Sequence, residues 1–230
     1  YGHEPDVPLQ PVARVSVVYN LKKQAGSDEP DDKYEEYDPI ATVEAVADAV
    51  GAYGFSVSLC EQDDDFAARL AEQKPQFVAN IAEGRGEARG REAQVPCFLE
   101  SAGIPYWGSD AVSMAVALDK LLTSRTLLCD EIPVPLCACF KQEQDLSQLP
   151  ALFTERSRFV VKPRYEGSSK GIFSDSVAHT PDEAKEKIRR IWGRYAQPAL
   201  LEEYLPGDEI TVGIVGNGRP SVVGMMRIVP

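Results

Sequence analysis

Residues 161–172 read Val-Lys-Pro-Arg-Tyr-Glu-Gly-Ser-Ser-Lys-Gly-Ile. Lys162 ends an apolar run, and Glu166, Gly167, Ser168, Ser169 and Gly171 follow it in a loop of small and polar residues. Side chains this small let backbone N–H groups come close to an oxygen atom, and the neighbouring ammonium group supplies opposite charge, which is what holding a polyphosphate requires. The order is not that of a Walker A loop, because the lysine precedes the glycines. Standing alone, the segment would equally serve as an ordinary Gly/Ser turn. A second segment, residues 199–212, reads as a strand, a short connection with Pro206 and Gly207, and another strand. Its backbone could read an adenine edge, with Tyr204 and Leu205 against the ring and Glu209 on a ribose diol. Alone it is a loop with an acidic rim.

The elements that must position these groups follow from the apolar pattern. Arg14–Tyr19 is a short β-branched run suited to a buried strand, and Phe55–Leu59 and Phe77–Ala79 read as strands too. Ile40, Val43, Val46, Ala47 and Val50 recur at helical spacing, and a second helix is expected from Asp63 to Gln73. Strands alternating with helices predict an α/β fold, an open parallel sheet with helices on both faces. Ligands of such sheets sit beyond the carboxyl ends of the strands, where the loop Asn80–Arg91 brings Glu83, Gly84, Arg85, Arg89 and Arg91. A helix is expected over Glu92–Ser101, a short strand and turn over Gly103–Ser109, and a helix over Lys120–Asp130. The pattern then turns β-rich. Strands are expected over Val134–Phe140, Phe159–Lys162 and Ala199–Glu202, a helix over Asp182–Tyr195, and a hairpin of Glu209–Val215 with Ser221–Val229. The seam near Leu118–Lys120 separates an N-terminal α/β domain, 1–118, from an α+β small domain, 119–209. Residues 210–230 read as the first strands of a truncated C-terminal domain, so the chain is expected to be a fragment.

The 230 residues carry 36 acidic against 24 basic side chains, a net charge of -12. This balance repels a nucleic-acid backbone and an anionic bilayer, so neither is an expected partner, and an anionic ligand has to be held by a few placed cations. No apolar stretch approaches the roughly 20 residues of a membrane span and no signal-peptide pattern opens the chain, so a cytoplasmic location is expected. Half of the net charge falls within residues 28–38, where seven carboxylates against Lys33 give -6. With Gly26, Pro30 and Pro39 around it, this run reads as a solvated surface loop. The 5 cysteines are odd in number and lie in or beside apolar segments, which suggests reduced thiols, with core packing the expected use of Cys137 and Cys139. Neither His3 nor His179 sits in a pattern that supports catalysis.

Together with Gly108-Ser109-Asp110 and Leu118-Asp119-Lys120, the two segments resemble the ATP-grasp superfamily, most closely its D-alanine--D-alanine ligase-like family. The resemblance runs from about Val15 to Pro230. It implies ATP and Mg2+ as cofactors, with Lys120 and Lys162 on the nucleotide phosphates. Glu166, Gly167, Ser168, Ser169 and Gly171 then form a mobile loop closing over them, Ser168 also facing the substrate pocket as the catalytic candidate. Glu202, Glu203 and Leu205 would grip the adenine, and Glu209 the ribose. The implied reaction phosphorylates a carboxylate to an acyl phosphate, which an amine attacks to give an amide and ADP. The substrates would be small amino acids, D-alanine first, for peptidoglycan precursor synthesis, and a homodimer through the first domain is suggested. The alternatives are a ligase for other amino acids or peptides, and a nucleotide-binding protein without catalysis.

Two departures from that pattern concern the substrate. The family's first strand runs into a Gly-rich turn and Glu-His-Glu, whose first glutamate helps hold an ammonium group; here Asn20-Leu-Lys-Lys-Gln24 and the acidic run follow. The loop after the third strand, ordinarily a His-Gly segment, is Asn80-Ile-Ala-Glu83-Gly84, which leaves Glu83 and Gly84 as substrate-side candidates. The magnesium ligands and the arginine of the acyl-phosphate step are expected beyond residue 230. No metal ligand is therefore assigned, and this stretch by itself is not expected to catalyse.

Overall fold

Val15, Val17 and Val18 make β1 (Arg14–Tyr19) apolar on both sides, which suits a strand at the centre of a covered parallel sheet. The computed structural model, which describes residues 13–228, places β1 between β2 (Ser56–Glu61) and β3 (Phe77–Asn80), parallel to both. Arg14 lies opposite Ser56, and Val15 opposite Phe77. Helix α1 (Ile40–Gly51) covers one face, with Val43 against Val15, Val17 and Ala79. Helices α2 (Phe66–Gln73) and α3 (Gln94–Ala102) cover the other, with Phe66, Leu70, Val95 and Leu99 around Val18 and Val78. Both faces are thus helical, as the alternation implies.

The strand expected over Gly103–Ser109 is reduced to a bridge between Tyr106 and Val78. Pro105 accepts from Val78 N–H at 2.9 Å through its carbonyl but has no N–H to continue a ladder. Asp110 then caps α4 (Ala111–Leu118), accepting from Ser113 N–H at 2.7 Å. Asp119 does the same for α5 (Lys120–Cys129), accepting from Leu122 N–H at 3.1 Å. The strand expected from Val134 is shortened to β4 (Cys137–Phe140), because Pro133 and Pro135 cannot donate.

A second sheet has the order β4-β7-β5-β6, from β5 (Phe159–Pro163), β6 (Val177–Ala178) and β7 (Ala199–Glu203), all pairs antiparallel. Between β4 and β5 lies the single-turn α6 (Leu149–Leu152), whose Leu149 is fully buried. Helix α7 (Pro181–Tyr195) lays Ala184, Ile188 and Ile191 on Phe140, Phe159, Val161 and Leu201. Its start is written in the sequence: Thr180 accepts from Glu183 N–H at 3.2 Å, Pro181 stands at the first helical position, and Asp182 and Glu183 face the positive end. Thr180→Ala should lower unfolding stability by about 1 kcal/mol in urea titration, with no change in nucleotide affinity.

These elements make one unit running to Tyr204; a second unit begins at Leu205. The described part of the second is a hairpin, β8 (Glu209–Val215) with β9 (Ser221–Ile228), with Glu209 opposite Ile228 and a bulge at Gly213/Ile214. His3 and Val229 lie outside the described residues. All five cysteines are free thiols; Cys137 and Cys139, expected in the core, are only partly buried, Cys97 and Cys129 are exposed, and Cys60 alone of the five is fully buried.

Candidate functional site

The carboxyl end of the parallel sheet is tied together by a residue not singled out from the sequence. Asn20, just past β1 and 3% exposed, accepts through Oδ1 from the N–H groups of Glu83 and Gly84 at 2.9 and 3.0 Å. Its amide donates to Gln62 beyond β2 at 3.0 Å. Three strand ends are thus held by one side chain. Gly84 sits at φ +84, and a Cβ there would fall on the Arg91 carbonyl, so only glycine lets these loop arms close together. Glu83 stands beneath, its carboxyl raised to about 7 by burial and by the neighbouring Glu92 and Glu36, against the pull of Arg91.

Lys120 begins α5 and Lys162 sits within β5, far apart in sequence. The structure couples their surroundings through one clasp. Asp119, 2% exposed, takes a bidentate pair of bonds from Arg164 at 2.6 Å each, and Lys120 N–H donates to the Arg164 carbonyl at 3.3 Å. Lys120 Nζ donates to the Glu166 carbonyl. Lys162 Nζ lies 2.5 Å from Glu202 Oε1, a diagonal neighbour across the β5–β7 ladder. Burial and the Lys162 charge push the Lys120 ammonium down to about 8, although Glu166, Glu36 and Glu202 favour its charged form. An ammonium group whose charge is disfavoured by burial and by a second ammonium group nearby is an arrangement that a polyanion relieves.

Glu166 opens the Gly/Ser loop from a buried position. It receives Arg91 at 2.9 Å, Lys170 at 2.8 Å and Gln197 at 2.6 Å. Arg91, with a 3% exposed side chain, also pairs with Glu36 at 2.6 Å and donates to the Tyr165 carbonyl at 2.7 Å. The acidic run is therefore not a solvated loop. Glu36 is buried against Arg91, and Asp32 accepts from Tyr195 OH at 2.6 Å and Gly171 N–H at 3.0 Å. Burial opposes the Asp32 charge, but these hydrogen bonds and Arg194 hold its carboxyl below the ordinary range. The contiguity of the acids conceals this, because their partners lie 55 or more positions away in the chain.

Ser168 and Ser169 are exposed at the loop tip, with φ of 46 and 60, left-handed values that cost a non-glycine residue about 1–2 kcal/mol each. Gly171 has φ +76, and a Cβ there would strike the Pro163 ring at the end of β5. Gly171→Ala should therefore lose about 2–4 kcal/mol of stability, read by thermal or urea unfolding, from backbone strain and overlap together.

Lys120, Lys162, Glu166 and Glu202 are thus linked by contact or charge, with Gly167, Ser168, Ser169 and Gly171 in the attached loop. Glu203 lies at the end of β7, where its N–H donates to the Leu136 carbonyl at 2.8 Å. Leu205 and Glu209 belong to the second unit. Beside the Gly/Ser loop is a cavity of about 520 Å³, lined by side chains of both signs that include Lys23, Glu61, Arg85, Glu166 and Lys170. Among the described residues, no group of three or more His, Cys, Asp or Glu could hold a metal ion.

Residues 131–230 match the family described as D-ala D-ala ligase C-terminus. A D-alanine--D-alanine ligase of Syntrophobacter fumaroxidans is 33% identical over 146 residues, 61% of this chain and 44% of that protein. The chain therefore spans less than half the length of that relative. A D-alanyl-alanine synthetase A from Vibrio cholerae superimposes with a TM-score of 0.69 at 16% identity, covering 95% of this chain and 68% of that one. A D-alanine--D-alanine ligase from Bacillus anthracis, solved with ATP, gives 0.63 at 18% identity, covering 92% and 71%. Residues 131–230 thus match the D-ala D-ala ligase C-terminus family, and over most of its length the chain has the fold of the D-alanine--D-alanine ligases.

Proposed function

We propose that this protein is, or is part of, an ATP-dependent carboxylate–amine ligase that forms a peptide bond through an acyl phosphate, with D-alanine as the leading substrate. The observation that carries the reading is the pair Lys120 and Lys162, charge-coupled beside a Gly/Ser loop in a chain whose net charge is -12. An acidic protein has no general attraction for a triphosphate, so binding has to come from such placed cations and oriented N–H groups. Lys120 and Lys162 hold the phosphates, Glu166 to Gly171 close over them, Ser168 faces the substrate, Glu202, Glu203 and Leu205 take the adenine, and Glu209 the ribose. Closing the loop excludes water, which would otherwise hydrolyse the acyl phosphate.

The mixed-charge cavity beside the loop suits zwitterionic substrates, and Glu83 and Gly84 are the substrate-side candidates of this proposal. The replaced first turn and the arginine-bearing loop favour a second reading, in which other amino acids or short peptides are joined. Magnesium belongs to the proposal, but the described residues provide no ligand set for it, and no step is assigned to it. A cytoplasmic location and a homodimer through the first domain are further parts of the proposal; no helix among the described residues is long and apolar enough to cross a membrane. The test is ADP release by the full-length protein with a panel of D- and L-amino acids and dipeptides. Release that depends on an amino substrate is expected, and its absence with every member of the panel would overturn the ligase reading.

A further inference from the structure

The most negative stretch of the chain is bonded to the loop that should meet the most negative part of a nucleotide. Glu36 Oε1 accepts from Gly167 N–H, and Asp32 Oδ2 accepts from Gly171 N–H at 3.0 Å. These partners lie 131 and 139 positions apart in sequence. Glu36 stands so close to the loop that a Cβ on Gly167 would be 3.2 Å from its Oε1. Tyr195 OH holds Asp32 at 2.6 Å, and Arg194 lies 3.6 Å from both Asp31 and Asp32.

Each backbone N–H has a single proton to donate. A carboxylate oxygen on the N–H of a glycine-rich loop occupies the position that a phosphate oxygen would take. Lys170 and Arg91, which would otherwise attract an incoming anion, are likewise engaged by Glu166 and Glu36. The attachment is imperfect: Asp32 Oδ1 and Arg194 Nε are buried without hydrogen-bond partners, a cost that leaves the contact open to displacement.

We propose that residues 28–38 act as an internal anion, a strap whose Asp32 and Glu36 carboxylates occupy N–H groups of the Gly/Ser loop and must be displaced before nucleotide phosphates engage them. This inference rests on the nucleotide reading above. It makes the acidic run a competitor of ATP, so weakening the strap strengthens binding, and binding frees the strap.

The experiment is titration of the protein with a fluorescent ATP analogue for wild type, Asp32→Ala, Tyr195→Phe and Lys162→Ala. Asp32→Ala should bind about tenfold more tightly, from loss of one charged competitor, and Tyr195→Phe a few-fold more tightly, since it keeps Asp32 but removes its anchor. In the wild type, ATP should also accelerate cleavage of the 28–38 segment by a glutamate-specific protease. Unchanged or weaker binding in both strap variants, or protection of the segment by ATP, would overturn the strap. Lys162→Ala separates the two ideas: if it leaves affinity unchanged, the nucleotide reading fails; if it alone weakens binding, only the strap fails.

Discussion

Lys120→Met should lower nucleotide affinity by about 10- to 100-fold, the scale of a lost charge-assisted hydrogen bond, while leaving the nucleotide-free protein more stable than wild type. The two halves of this result share one cause. Burial and the Lys162 charge bring the Lys120 ammonium from 10.5 down to about 8. Holding that charge at pH 7 therefore costs about 3 kcal/mol, most of which an apolar side chain of similar length avoids. The sign of the pH dependence follows. Between about pH 8 and pH 10 the unfolded chain binds the Lys120 proton and the folded one has released it, so stability rises with pH across that window in the wild type. The variant lacks this rise. Nucleotide affinity has the opposite slope, because the ammonium form attracts phosphate: it should be greatest below pH 8 and fall above it, and the slope should flatten in the variant. Urea titrations and binding isotherms from pH 6.5 to 9.5 measure both. A variant that binds ATP as wild type does would remove Lys120 from the phosphate site.

Arg91→Met should cost about 3–5 kcal/mol of folding stability at pH 7, the range for removing one partner of a buried ion pair. Arg91 remains charged because Glu36 and Glu166 outweigh the effect of burial. The carboxylates it leaves behind have side chains 3% and 7% exposed, and Lys170 reaches only Glu166. Glu36 is then a buried anion without its cation. Denaturant midpoints at pH 7 test this, and the double variant Arg91→Met with Glu36→Gln, which removes the unpaired buried charge, should recover much of the loss.

The supporting architecture is legible in the chain wherever one local pattern decides it. The valines of β1, the 3.6-residue rhythm of α1 and the Thr-Pro-Asp-Glu start of α7 each announce an element by themselves. Prolines account for two of the misreadings. Pro105 reduces an expected strand to a bridge, and Pro133 with Pro135 delays β4 to Cys137. Lys162 and the Gly/Ser loop could be found because the chemistry is contiguous. Arg91 could be seen only as one of three arginines in a loop, since nothing nearby marks it as the one that is buried. The acidic run was hardest to read: seven like charges look solvated until Arg91, Tyr195 and two glycine N–H groups arrive from elsewhere in the fold.

The Asp119–Arg164 pair has a mechanical consequence. Each member directly adjoins or closely follows one of the two lysines, so a doubly bonded ionic joint fixes the backbone span between their attachment points. Like charges on flexible stems would normally retreat into solvent, but here their roots cannot separate. The two cations are thus already gathered when a triphosphate arrives, and its attraction to them is not diminished by having to bring scattered charges together first.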